Sequence, residues 1–214
     1  MHITGRITND IRLKLAGQKL WTEDSDRNRQ LFNRWGINID FLHPQVRTCT
    51  WVRPLENEVM INTDGSLSSD HAGYGAIARD GEGTPILAVV GSVRPESVIT
   101  HELQGIAAGL TMAVNHNFRR ICIGTDSKVA CSYFSSSRNP PWRLLPLWHR
   151  IKRLCGSLES FRICHVLHQA NRAAYYLAST RPTRAYVEII PDSFAEDLKK
   201  IVFEDCSNTV YYRM

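Results

Sequence analysis

The chain has 214 residues, 43% of them hydrophobic and 22% charged, which suits one globular domain with extensions and excludes disordered and fibrous classes. Its 26 basic and 21 acidic residues leave a net charge of +5, compatible with a polyanionic partner without specifying one. No run approaches the ~18 uninterrupted apolar residues of a membrane span, and the N-terminal MHITGRITNDIRLKLAG lacks the apolar stretch of a signal peptide. A soluble, intracellular protein with no membrane contact is expected. The cysteines, Cys49, Cys122, Cys131, Cys155, Cys164 and Cys206, form no CxxC pair and no zinc spacing, as expected for free thiols in a reducing compartment.

Residues 1–50 read as an N-terminal extension of short helices, with weak helical periodicity in NDIRLKLAG and in DRNRQLFNRWGI. In the second run, Leu31, Phe32 and Trp35 share one face. Residues 51–180 alternate strand and helix signals. NEVMINTDGS (57–66) alternates as a strand, AGYGAIARD (72–80) follows, and DGEG turns the chain into TPILAVVGSV. These three strands predict an antiparallel meander. Residues 99–116 read as a helix through Leu103, Ile106, Ala107, Leu110 and Val114, with Thr100 as its N-cap. RICIGT (120–125) is a short buried strand, followed by helices over 127–134 and 142–156. FRICHVL is a fifth strand and 170–179 a last helix. Residues 181–214 form a C-terminal tail with one amphipathic helix around 192–203, where Phe194, Leu198, Ile201 and Val202 share a face.

Three carboxylates fall where this order of elements can gather them. Asp64 lies near the end of the first strand, and an Asp-Gly pair there is by itself most often a turn. Glu102 is placed in the first turn of the long helix, where the dipole favours a carboxylate. Asp126 follows the fourth strand, where a plain N-cap is the simpler role. If the first and fourth strands are adjacent, the three converge. They would then repel one another unless a hard cation, Mg²⁺ or Mn²⁺, intervenes.

INTDGS, GYGAIARDGEG, HELQGIAAGLTMA, ICIGTDSKVA and HVLHQANRAAYYLA follow one another as in the ribonuclease H family, over about residues 50–180. The chain most resembles the plant reverse-transcriptase-like domains that descend from non-LTR retroelements, which share a Trp-x-x-Pro lead seen here as Trp51-Val52-Arg53-Pro54. The resemblance implies a ribonuclease H-like α/β fold, with a five-stranded mixed sheet in the order 3-2-1-4-5 and helices on both faces. It also implies endonucleolytic hydrolysis of the RNA strand of an RNA–DNA hybrid by two Mg²⁺ ions about 3.5–4 Å apart. Asp64 would bridge both ions, and Glu102 and Asp126 would hold the leaving-group ion.

The family's fourth acid belongs to an Asn-x-x-Ala-Asp pattern, which reads Asn171-Arg172-Ala173-Ala174-Tyr175 here. A phenol is a poor Mg²⁺ ligand, and residues 165–180 hold no Asp or Glu to replace the acid. Asn171 offers a carbonyl oxygen one turn earlier. Catalysis is therefore expected to be impaired; the alternative is an inactive module of the same fold that binds nucleic acid or protein. His165 is the candidate for the family's loop histidine, with His168 second; a polar strand end is the plainer reading of His165. Gly65, Ser66 and Gln104 are candidates for reading the minor groove of the hybrid, Gly65 by giving a nucleic-acid backbone room. Arg138, Trp142 and Arg143 form a basic-aromatic cluster suited to gripping the DNA strand, although Trp142 suits a core position as well.

Overall fold

The computed structural model describes residues 11, 13–15, 21–42, 47–69, 71–180, 182 and 184–213. The chain forms two compact units, Met1–Arg47 with Tyr212–Met214, and Thr48–Tyr211. In the smaller unit the helix Asp26–Trp35 is capped by Ser25, whose side chain accepts from the Asn28 amide, and it ends at Gly36 with φ 61°. Two three-residue strands, Trp21–Glu23 and Asp40–Leu42, pair in parallel there. The helical reading of 9–17 lies largely outside the described residues.

The larger unit opens with a meander of β1 (Val59–Leu67), β2 (Ala72–Arg79) and β3 (Pro85–Val93). The DGEG turn is built by Asp80, whose Oδ1 accepts from the amides of Glu82 and Thr84, both at 2.9 Å. Next come α1 (Val98–Asn115), β4 (Arg120–Thr125), α2 (Lys128–Phe134), α3 (Leu145–Gly156), β5 (Ser160–His165) and α4 (Arg172–Ser179). The C-terminal segment adds β6 (Val187–Ile189) and α5 (Glu196–Cys206).

The sheet runs β5-β4-β1-β2-β3-β6. β4 is parallel to β1 and β5 to β4, as strands reached through helical crossovers must be. The sixth strand, which sequence reading did not foresee, pairs antiparallel with β3 and covers that edge of the sheet. Three residues are too short a run for alternation to show.

Helices cover both faces. On one, Leu103, Ile106 and Leu110 of α1 and Ile151 of α3 pack on Ile61, Ala76 and Val89. On the other, Leu177 of α4 and Leu198 and Val202 of α5, with Phe194, pack on Ile77, Ala88 and Val90. β2 lies between the two layers and has no exposed residue. Among the described residues, no helix is long and apolar enough to cross a membrane.

Candidate active site

Parallel pairing of β1 and β4 sets Thr63 opposite Thr125, so the next residues, Asp64 and Asp126, leave neighbouring strands side by side. Glu102 arrives from α1, which crosses β1 at unusually short range because glycines stand on both sides of the contact. A Cβ at Gly65 would lie 2.3 Å from the Glu102 nitrogen, and one at Gly105 would lie 2.7 Å from the Asp64 carbonyl oxygen. The space at Gly65 thus admits the helix backbone. The helix is capped three residues before the expected Thr100: Ser97 is the N-cap, accepting from the Thr100 amide. Glu102 therefore sits in the second turn instead of the first, where the dipole supports it less.

One oxygen each from Asp64, Glu102 and Asp126 lies within 4.8 Å of the other two. Asp64 and Glu102 are 4% and 7% exposed, and the buried Glu102 Oε2 has no hydrogen-bond partner among the described residues. Burial, reinforced by the Asp126 charge, raises the Asp64 carboxyl to about 7. Burial, then the charges of Asp64 and Asp126, push Glu102 up to about 9. Crowded oxygen donors, an unmet buried oxygen and carboxyls that cling to protons are what a hard divalent cation relieves. The residues fit a hard divalent cation.

Of the two candidate histidines, the structure brings His168 to the acids. His168 Nδ1 is 2.8 Å from Asp126 Oδ2, delivered by a short turn over His168–Ala170. His165 is exposed at the end of β5, opposite Thr125, and lines a cavity of about 620 Å³ with Lys128, Lys152 and Arg162. Tyr175 is 49% exposed and meets the His168 ring edge-on, with centroids 4.9 Å apart. Asn171 is fully buried and already engaged: Oδ1 accepts from Asn62 Nδ2 at 3.2 Å, and Nδ2 donates to the Thr63 carbonyl at 3.0 Å. Its side chain braces β1 from the start of α4.

Ser66 is half-buried, opposite Gly73 of β2. Gln104 Oε1 lies 2.9 Å from His101 Nδ1. Trp142 is 75% exposed, which removes the core alternative, and the Arg143 guanidinium stands 5.3 Å from its ring centre. Both line a groove of about 610 Å³ shared with Ser97 and Thr100 at the start of α1. Arg138 is exposed. Sequence reasoning missed Asn62, Arg79 and Asp205, which share a buried polar network described below. A lone arginine in the apolar run GYGAIAR was the available signal, because a buried charge must find a partner.

This sheet order and acidic edge define a ribonuclease H-like α/β protein. The chain belongs to the reverse transcriptase-like family, whose model matches residues 62–181. Its fold is similar to that of ribonuclease H1 from Halobacterium salinarum, at 20% identity and TM-score 0.54, over 56% of this chain and 94% of that one. It is also similar to the N-terminal ribonuclease H domain of a Mycobacterium tuberculosis protein, at 24% identity and TM-score 0.54, over 56% of this chain and 90% of that one. LC11-RNase H1, solved in complex with an RNA/DNA hybrid, matches at 14% identity and TM-score 0.52, over 56% of this chain and 93% of that one. A comparison with curated proteins returns no match.

Proposed function

We propose that this protein is a ribonuclease H-type endonuclease that cuts the RNA strand of RNA–DNA hybrids slowly, with one firmly held divalent cation. The observation that carries the reading is the convergence of Asp64, Glu102 and Asp126 around an unpartnered buried oxygen. When bound there, Mg²⁺ or Mn²⁺ supplies Lewis-acid charge to the phosphoryl group and the leaving oxygen. Asp64 and Glu102 hold the cation once their protons leave. His168 braces Asp126 through Nδ1 and offers its other ring nitrogen for proton transfer. At the fourth position Tyr175 brings no carboxylate, so a second cation would be held weakly there and turnover would fall.

Substrate contacts follow from the surface around the acids. Ser66 and Gln104 border the site, on β1 and α1, where 2′-hydroxyls of the minor groove are read. Arg143 stacked on exposed Trp142, with Arg138 nearby in sequence, suits the phosphates and bases of the DNA strand. The hybrid bound to LC11-RNase H1 supports the choice of substrate. Descent from a retroelement is part of the same reading, supported by the order of the sequence blocks.

Tyr175 favours one second reading, a hybrid-binding module that no longer cleaves. Labelled RNA–DNA hybrid, single-stranded RNA and double-stranded DNA, each incubated with Mg²⁺ or Mn²⁺, separate the two. The proposal expects RNA cleavage only in the hybrid, lost in Asp64→Asn. Hybrid binding without cleavage, even at high enzyme concentration, supports the second reading.

A further inference from the structure

Arg79 ends β2 in complete burial, and its charge is met by the C-terminal helix. Its Nη1 donates to Asp205 Oδ2 of α5 at 2.7 Å, with the two side chains 0% and 1% exposed. Its Nη2 donates to Asn62 Oδ1 at 2.8 Å, and the guanidinium lies 4.2 Å from the Trp51 ring centre. The Tyr211 hydroxyl donates to the other Asp205 oxygen at 2.7 Å. From Asn62 the line continues through its amide to Asn171, and from Asn171 to the Thr63 carbonyl. That carbonyl belongs to the peptide that carries Asp64.

Asn171 also joins two site elements. Its amide donates to the His168 carbonyl at 3.0 Å, and its own carbonyl accepts from the Tyr175 amide at 3.1 Å. The line that starts on α5 therefore ends on the strand bearing Asp64 and on the turn bringing His168 to Asp126. A parallel tie joins α5 to the start of α4: Arg172 donates to Glu204 and stacks on Tyr211, 5.2 Å from its ring centre. A buried guanidinium is costly to desolvate, and apolar side chains fill such space more cheaply. Hydrogen bonds add direction, which volume filling does not, and direction is what a cation site needs from its support.

We propose that Asp205, Arg79, Asn62 and Asn171 are positioning residues of the acidic site, which makes α5 part of that site's support. The proposal rests on the reading of Asp64, Glu102 and Asp126 as cation ligands. α5 lies beyond the residues matched by the family model, so the support comes from a part of the chain that the family pattern does not include.

The test uses the full chain, with Mn²⁺ affinity read by calorimetry and amide hydrogen exchange read at Tyr175. Asn171→Ala and Asp205→Asn are each expected to weaken Mn²⁺ binding about 10–100-fold and to speed exchange at Tyr175. The double variant is expected to be no weaker than the weaker single, because both interrupt one line. Glu196→Gln, on the exposed side of α5, is expected to change neither readout. If Asp205→Asn does not fold, Tyr211→Phe loosens Asp205 while keeping its charge, and a smaller loss in the same direction is expected. A folded set of line variants with wild-type Mn²⁺ affinity overturns the proposal. If the wild type itself takes up no Mn²⁺, the cation reading fails. The line is then judged by exchange alone: faster at Tyr175 in Asp205→Asn upholds it, and unchanged exchange overturns it.

Discussion

Glu102 shows what single residues contribute to this site. It is buried with one oxygen unmet and titrates at about 9, while Asp64 titrates at about 7. Unfolding returns both to the ordinary carboxylate range near 4. Between that range and about 9 the folded chain therefore binds more protons than the unfolded one, so its stability falls as pH rises. Melts in the absence of divalent cations are expected to show Tm dropping from about pH 5 to pH 9. Glu102→Gln is expected to flatten that slope and to stabilise the cation-free protein by roughly 0.5–2 kcal/mol near pH 8. An unchanged slope in the variant would remove Glu102 as its source. The three acids were legible in sequence because each lies on or beside a recognisable element. His168 was less legible than His165, since a strand end can be read from alternation while the turn that aims His168 at Asp126 depends on contacts made across the fold.

At the scale of elements, the crossing of α1 over β1 fixes the distance between Glu102 and Asp64. Gly65→Ala is expected to push the helix away, because the new methyl meets backbone that has no rotamer to adjust. A cost of about 1–3 kcal/mol, measured by denaturant unfolding, is expected together with weaker cation binding. A neutral Gly65→Ala would contradict the close crossing. Asp205→Ala leaves the buried Arg79 charge unmatched and is expected to cost about 3–5 kcal/mol, checked by the same unfolding curves. The helices were readable from their three- and four-residue spacing, as Leu103, Ile106 and Leu110 show. Their ends were less so: Ser97 and Thr100 are both hydroxyl residues, and choosing the cap required knowing which one accepts from the other's amide. β6 had no periodic signal, and its place at the sheet edge was set by pairing with Ala88, Val89 and Val90.

For the molecule as a whole, the meander and the helix-linked strands marked a mixed sheet with helices on its faces, while the strand order was implied by the family resemblance. The buried tie between β2 and α5 was not legible. Arg79 and Asp205 are 126 residues apart, and no local pattern connects them. The net charge of +5, with Arg143 stacked on exposed Trp142, predicts hybrid binding that weakens as salt rises. Arg143→Ala is expected to lower the slope of log K against log salt by about one phosphate contact; an unchanged slope places the hybrid elsewhere. The central claim is that a three-acid site retains hybrid cleavage which Tyr175 slows. The rate of hybrid cleavage in Mg²⁺, compared between wild type and Tyr175→Asp, tests it most directly. The expected result is slow cleavage by the wild type, at least about tenfold faster in Tyr175→Asp and absent once Asp64→Asn is added. Equal rates in wild type and Tyr175→Asp, or cleavage by neither, would contradict it.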